Sequence, residues 1–253
     1  MMNFDHEIKN QLQNYLLMQG ILSNQTVWHA QTGGQTNKVW RLKGEKDLIC
    51  KLYLETNTNP LFNNTPEAEY RCLLWLDGSD IAPKPYKYLK TPFGDVLLYN
   101  YIKGHTWSHD VETVSELLTR IRKHKYPKGL RILSNLPSDI KQTGLEIINK
   151  LNNYHKNKLI KICPDVSISD IEPVLLHTDV VPGNLILGEK GLRLIDWQCP
   201  AIGDPIVDIV MFLSPGMHKI YGSGKLSMKD HENFLMNLTP KLRSRYNILG
   251  PLY

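Results

Sequence analysis

Phe4, Ile8, Leu12 and Tyr15 recur at helical spacing, so residues 4 to 18 predict an amphipathic opening helix. The period then changes. Three strand-like stretches, near 26 to 31, 37 to 43 and 47 to 54, are separated by Gly33-Gly34 and Gly44-Glu45, which predicts a meander of antiparallel strands. The polar, Asn-rich segment 55 to 65 reads as an exposed loop. Thr65-Pro66 then offers an N-cap and a proline at the first helical position, opening a helix through about Leu76 that stops at Asp77-Gly78. Two more strands, about 85 to 90 and 95 to 101, flank the turn Thr91-Pro92-Phe93-Gly94.

Beyond Gly104 the helical period dominates. Long helices are expected at about 109 to 124 and 137 to 157, the second with Leu145, Ile148, Leu151 and Tyr154 on one face. Short apolar runs at 173 to 176, 184 to 187 and 191 to 195 punctuate a loop-rich centre, and helices near 205 to 213 and 228 to 238 close the chain. Strands early and helices late predict an α+β fold with a β-rich N-terminal lobe and a mostly helical C-terminal lobe. There is no internal repeat.

The 253 residues, 42% hydrophobic and 22% charged, exclude a wholly disordered or collagenous chain and allow a sizeable core. Cys50, Cys72, Cys163 and Cys199 form no C-x-x-C pair, so neither a zinc ribbon nor a dithiol motif can be written and a reducing, cytoplasmic setting is expected. No apolar run approaches the roughly 20 residues of a membrane span, and Asp5 and Glu7 sit where a secretory signal carries positive charge. A net charge of +5 permits anionic partners. Its densest basic stretch, Arg120 to Arg131, reads as the solvated C-terminal turn of a helix in preference to a nucleic-acid patch, since no RNA- or DNA-binding pattern accompanies it.

The stretch Leu176 to Asp208, LHTDVVPGNLILGEKGLRLIDWQCPAIGDPIVD, carries the chemistry. It sets His177, Asp179 and Asn184 on one short loop and Asp196 after two β-like segments. Phosphoryl transfer from Mg-ATP needs a carboxylate to take the acceptor's proton and oxygen ligands to hold magnesium against the phosphates. Asp179, Asn184 and Asp196 can supply that set.

H-x-D-x-x-x-x-N followed by I-D-W resembles the signature of the aminoglycoside phosphotransferase and choline kinase superfamily, small-molecule kinases that share the two-lobed protein-kinase-like fold. The resemblance implies that Asp179 is the catalytic base, that Asn184 and Asp196 bind Mg2+, and that His177 braces the loop. It also implies a nucleotide-binding lobe over 1–98, a hinge over 99–104 and a catalytic, acceptor-binding lobe over 105–253.

Upstream, Lys51 alternates with apolar neighbours in DLICKLYL, so Ile49, Lys51 and Tyr53 share one face while Leu48, Cys50 and Leu52 share the other. A lysine on so apolar a strand needs an anionic partner. Glu69 in EAEYRCLLWL can supply one, as can Glu67, which lies about 200° away around the helix. Lys51 and Glu69 resemble the family's ion pair against the ATP phosphates. Lys51→Met is expected to leave the fold largely intact. The turn containing Gly33, Gly34, Thr36 and Asn37 resembles the nucleotide loop of choline-kinase-like members, and no Walker A sequence is present. In the family the segment Asn100, Tyr101, Ile102 contacts adenine through its backbone. Asp204 can N-cap a helix, and Asp208 is expected to buttress the catalytic loop. Asp196-Trp197-Gln198 departs from choline kinases, which carry an acidic residue soon after the magnesium aspartate.

The expected activity is ATP- and magnesium-dependent phosphorylation of a small choline-, ethanolamine- or thiamine-like alcohol, with an aminoglycoside phosphotransferase and a nucleotide-binding pseudokinase as alternatives. After Asp208 the tail holds Asp230 and Glu232 against Lys219, Lys225, Lys229, Lys241, Arg243 and Arg245, which argues against a polycationic acceptor. Trp107, Tyr126, Tyr154, Trp197 and Tyr221 are candidates for an aromatic cage.

Overall fold

The computed structural model describes residues 2–31, 36–54, 64–150, 155–222, 224 and 226–253, the side chains of 2–5 and 155 excepted. Gly33, Gly34 and Tyr154 lie outside the described residues. The chain divides into two compact units, Met1–Lys103 and Gly104–Tyr253.

The first unit contains α1 (Met2–Met18), β1 (Val27–Ala30), β2 (Lys38–Lys43), β3 (Asp47–Leu52), α2 (Pro66–Trp75), β4 (Pro85–Thr91) and β5 (Gly94–Asn100). Its five strands lie in the order β1-β2-β3-β5-β4 with every pairing antiparallel. The first three form the expected meander, and β5 inserts beside β3, so β3 is central. Its two faces separate as alternation requires. Leu48, Cys50 and Leu52 join Leu12 and Leu16 of α1, Trp28, Trp40, Leu42, Val96 and Leu98 in one apolar cluster. Leu12 and Leu16 are fully buried there, each worth about 1.5–3 kcal/mol. The opposite face carries Lys51 toward α2. Pro66 opens α2 as expected, with Glu67 and Glu69 complementing the dipole of its first turn, but Thr65 makes no side-chain cap bond. The Thr65 carbonyl instead accepts the Glu69 N–H at 3.1 Å.

The second unit runs β6 (Gly104–Thr106), α3 (Val111–Lys123), β7 (Arg131–Ile132), α4 (Pro137–Asn149), α5 (His155–Ile162), β8 (Val174–Leu176), β9 (Leu185–Gly188), β10 (Gly191–Leu194), β11 (Ala201–Gly203), α6 (Ile206–Leu213), α7 (Pro215–Tyr221), α8 (Met228–Met236) and α9 (Pro240–Leu249). Two small sheets, β10-β9-β6 and β7-β11-β8, sit among the helices. In the first, β6 runs so close to β9 that a Cβ at Gly104 would collide with the Leu187 carbonyl.

Several expectations need correction here. The helix expected over 137 to 157 is α4, ending at Asn149, and a separate α5 from His155, with Leu151 outside the described residues. Strands β6, β7 and β11 have two or three residues, too few for a period to register. Helix α9 buries Leu242, Arg245 and Leu249, and an arginine in the middle of the stripe hides it from a hydrophobicity reading. The basic stretch is also not uniformly solvated: Lys123, Lys125 and Lys128 are exposed, while Arg122 and Arg131 are only part-exposed and turn inward. Among the described residues no helix is long and apolar enough to cross a membrane.

Candidate active site

In the first unit, Lys51 Nζ lies 2.8 Å from Glu69 Oε2, with both side chains at most 2% exposed. The Tyr53 hydroxyl donates to the same oxygen, and Lys51 Nζ stands 5.0 Å from the Tyr53 ring centroid. Alternation past the end of β3 puts Tyr53 on the lysine's face, so one carboxylate on α2 gathers a cation and a phenol. Glu67 points elsewhere, 3.4 Å from Lys90 on β4 at an exposed position. The helix phase decides between the two glutamates.

In the second unit, β8 ends at Leu176 and delivers His177, Thr178 and Asp179. Asp179 is half-buried. Its Oδ2 accepts from Asn184 Nδ2 at 3.0 Å, and its carbonyl accepts from the same nitrogen at 3.0 Å. Asn184 Oδ1 takes no part in either bond. Asn184 enters the β9–β10 hairpin, whose register pairs Leu185 with Leu194, and one step further the Ile195 N–H donates to the Asn184 carbonyl at 2.9 Å. Asp196, half-buried and at φ +64°, follows directly. A local hairpin therefore brings both residues implied for the metal to the base of the Asp179 loop.

The loop is clamped from several sides. Asp208 on α6 accepts the His177 N–H at 3.0 Å and the Thr178 N–H at 2.7 Å. His177 Nε2 lies 3.0 Å from the Ile195 carbonyl, which can only accept, while its Nδ1 accepts the Asp179 N–H at 3.2 Å. The two bonds together fix the neutral Nε2–H tautomer. Trp197 packs its ring on His177 with centroids 4.6 Å apart and donates Nε1–H to the Leu194 carbonyl. Thr178 is a β-branched residue at φ +67°, a conformation that costs on the order of 1–3 kcal/mol.

Burial raises the Asp208 carboxyl from 3.8 to about 6, against the opposing pull of the His177 and Thr178 amides and of Arg122. Between those two values the folded chain holds a proton that the unfolded chain has released. Stability therefore falls as pH rises through that window, by roughly 3 kcal/mol in all. Denaturant unfolding at pH 4 and pH 7 should show wild type losing about this much relative to Asp208→Asn. Identical pH dependence in the two proteins would refute the shift.

Asp204 does more than cap. Its Oδ1 accepts the Ile206 N–H at 3.0 Å, while its Oδ2 pairs with Arg245 Nε at 2.6 Å in a fully buried contact. Arg245 also donates to the Ser169 carbonyl at 2.6 Å, and Arg243 donates to the Leu235 and Met236 carbonyls at the end of α8. Two of the tail's cations are thus committed to structure, and the charge balance read from composition overstates what a ligand would meet.

Two groups expected at the nucleotide have partners within the first unit. Asn37 is buried and exchanges side-chain amide bonds with Asn64 at 2.9 and 2.8 Å, which ties β2 to the residue before Thr65; Thr36 next to it is half-buried. The Asn100 N–H donates to the Lys84 carbonyl and the Tyr101 N–H to the Asp47 carbonyl, both at 2.9 Å. Those two donors are spent within the first unit.

A cavity of about 110 Å3 opens in the second unit between Trp107, Asp110, Pro182, His218 and Asp230. Pro182 belongs to the Asp179–Asn184 loop. His218, 2% exposed, donates Nε2–H to the Phe212 carbonyl at 2.7 Å, and burial lowers its pKa, so the ring is neutral with Nδ1 as acceptor. Asp110 spends Oδ1 on the N–H groups of Glu112 and Thr113, and Asp230 spends Oδ2 on Ser227. Each capping carboxylate keeps a second oxygen. Of the aromatic-cage candidates, Trp197 is fully buried core and Trp107 packs edge-on against Phe212, whereas Tyr126 and Tyr221 are exposed.

Among known folds the structure is kinase-like. It superposes on a choline/ethanolamine kinase family protein from Mesorhizobium loti with a TM-score of 0.60 at 12% identity, covering 91% of this chain and 81% of that one. It also superposes on aminoglycoside phosphotransferase APH(3'')-Id from Streptomyces rimosus with a TM-score of 0.61 at 18% identity, covering 95% and 98%. Residues 136–224, which hold the whole Asp179–Asp208 constellation, match the phosphotransferase enzyme family. That match lies within the second unit. The chain is also 28% identical over 154 residues to the thiamine kinases of Escherichia coli O1:K1 / APEC and Shigella boydii serotype 4 (strain Sb227), over 56% of this chain and 50% of theirs. The chain spans about half the length of these curated relatives.

Proposed function

We propose that this protein is a small-molecule kinase that moves the γ-phosphoryl group of ATP to the hydroxyl of a small acceptor bearing at most one cationic centre, of thiamine-, choline- or ethanolamine-like size. The observation that carries the reading is the Asp179–Asn184 contact at 3.0 Å on a loop clamped by Asp208, with Asp196 held beside it by the β9–β10 hairpin.

Asp179 takes the proton from the acceptor hydroxyl as its oxygen bonds to the γ-phosphorus and the bond to the β–γ bridging oxygen breaks, releasing ADP. Among the described residues no group of three or more His, Cys, Asp or Glu gathers into an all-protein metal cage. Asp196 and Asn184 Oδ1 suit magnesium, which keeps most of its ligand positions for phosphate and water. Bound there, the ion would neutralise charge on the transferred group. Lys51, held extended by Glu69 and Tyr53, orients the phosphates, and the Ile102 N–H is the donor for adenine.

Two features support the acceptor class. The names of the thiamine kinases at 28% identity point to a small, singly charged alcohol. The cavity beside Pro182 is far below the roughly 300–1,000 Å3 of drug-sized sites, yet carries two carboxylates and an indole for one cation. An aminoglycoside, a multiply charged oligosaccharide, would leave ammonium groups unpaired at several kcal/mol each. ATP consumption measured across thiamine, choline, ethanolamine, kanamycin and gentamicin tests this. Turnover is expected with at least one small alcohol, with kcat/KM for the two drugs at least about 10²-fold lower. A higher value for either drug would overturn the acceptor class, and no turnover with any acceptor would overturn the kinase reading.

A further inference from the structure

Thr178 is the one position in the catalytic loop where the sequence works against the backbone. Its φ of +67° is a conformation that glycine adopts without strain, yet the residue is a buried, β-branched threonine. The hydroxyl explains the choice. Thr178 Oγ1 donates to the Cys199 carbonyl at 2.7 Å and accepts from Arg131 Nη2 at 3.3 Å, while Nη2 also lies 3.4 Å from the same carbonyl. The Thr178 N–H goes to Asp208 Oδ1 at 2.7 Å. Three separate parts of the second unit, β7, α6 and the segment between β10 and β11, therefore converge on the residue that precedes Asp179. Donor and acceptor capacity of the hydroxyl are both used, which no apolar side chain can reproduce.

We propose that Thr178 is the positioning residue of the reaction: its hydroxyl, clamped by the Cys199 carbonyl and Arg131, holds a strained backbone that sets the Asp179 carboxylate against the acceptor. The role in turnover rests on the kinase reading above; the clamp itself does not. Releasing it lets the 178–179 peptide relax toward negative φ and swing the carboxylate, and a displacement of about 1 Å costs on the order of 10²-fold in rate.

Thr178→Val keeps shape and branching and removes only the hydroxyl; Thr178→Ser keeps the hydroxyl. In the valine variant kcat should fall about 10- to 100-fold while the Kd for Mg-ATP stays within about twofold. Amide hydrogen exchange over residues 177–180 should accelerate at least about tenfold, with the β9–β10 hairpin unchanged. The serine variant should stay within about threefold of wild type in both readouts. Wild-type exchange and kcat in Thr178→Val would overturn the proposal, as would a serine variant as impaired as valine. If the valine variant does not fold, Thr178→Ala removes the hydroxyl and the branching while keeping a Cβ that disfavours positive φ; it should fold and show the same loss of kcat, and full activity in it would be equally fatal. Exchange is read without any acceptor, so a failure of the kinase reading would appear separately, as wild type without turnover.

Discussion

Asp179→Asn is expected to bind Mg-ATP with near wild-type affinity and to lose about 10² to 10⁴ in kcat, the usual contribution of a general base. The geometry says why the loss should be confined to chemistry. The Asp179 backbone carries three of the loop's bonds, to His177 Nδ1, Asn184 Nδ2 and the Val181 N–H, and none of them depends on the side chain. An asparagine carbonyl oxygen can still accept from Asn184 Nδ2, the partner of Asp179 Oδ2. What disappears is the negative charge and the capacity to take a proton as the acceptor oxygen attacks. Isothermal titration with a non-hydrolysable ATP analogue and steady-state kinetics on the same preparation separate the two effects. A kcat within a few fold of wild type would remove Asp179 from the chemistry.

The Lys51–Glu69 pair should show the second large effect, in both stability and turnover. Both partners are at most 2% exposed, so replacing one removes the other's buried counter-charge, at about 3–5 kcal/mol. Lys51→Met is therefore expected to be strongly destabilising, where the apolar neighbours of Lys51 by themselves suggest little change, because the cost arises on Glu69. In Glu69→Gln the lysine and the Tyr53 hydroxyl meet a neutral acceptor in place of the carboxylate. The double variant Lys51→Met/Glu69→Gln should recover much of the stability lost by Lys51→Met, and its kcat/KM should be little worse than that of the worse single variant. Thermal unfolding and ATP turnover of the four proteins in the cycle check this. Strict additivity in both would mean that the two residues do not act together.

The sequence by itself determined what short-range geometry dictates. A period of two on β3 sorts Leu48, Cys50 and Leu52 from Lys51 and Tyr53, whatever packs on each face. The five-residue step from Asp179 to Asn184 and the hairpin that returns the chain at Asp196 are equally local, so these residues stand together for reasons a linear reading can supply. Tertiary structure alone decided the rest. It chose Glu69 over Glu67 through the phase of α2, spent the Asn100 and Tyr101 donors within the first unit, and turned Arg122, Arg131 and Arg245 inward from stretches that read as solvated charge. It also raised the Asp208 carboxyl to about 6 and forced Thr178 into a left-handed conformation. The reason is the same in each case: local sterics set which way a side chain points, but the free energy of a buried polar group depends on partners distant in the chain, such as Asp208 for Thr178, Thr178 for Arg131 and Arg245 for Asp204, that only packing brings into hydrogen-bond distance.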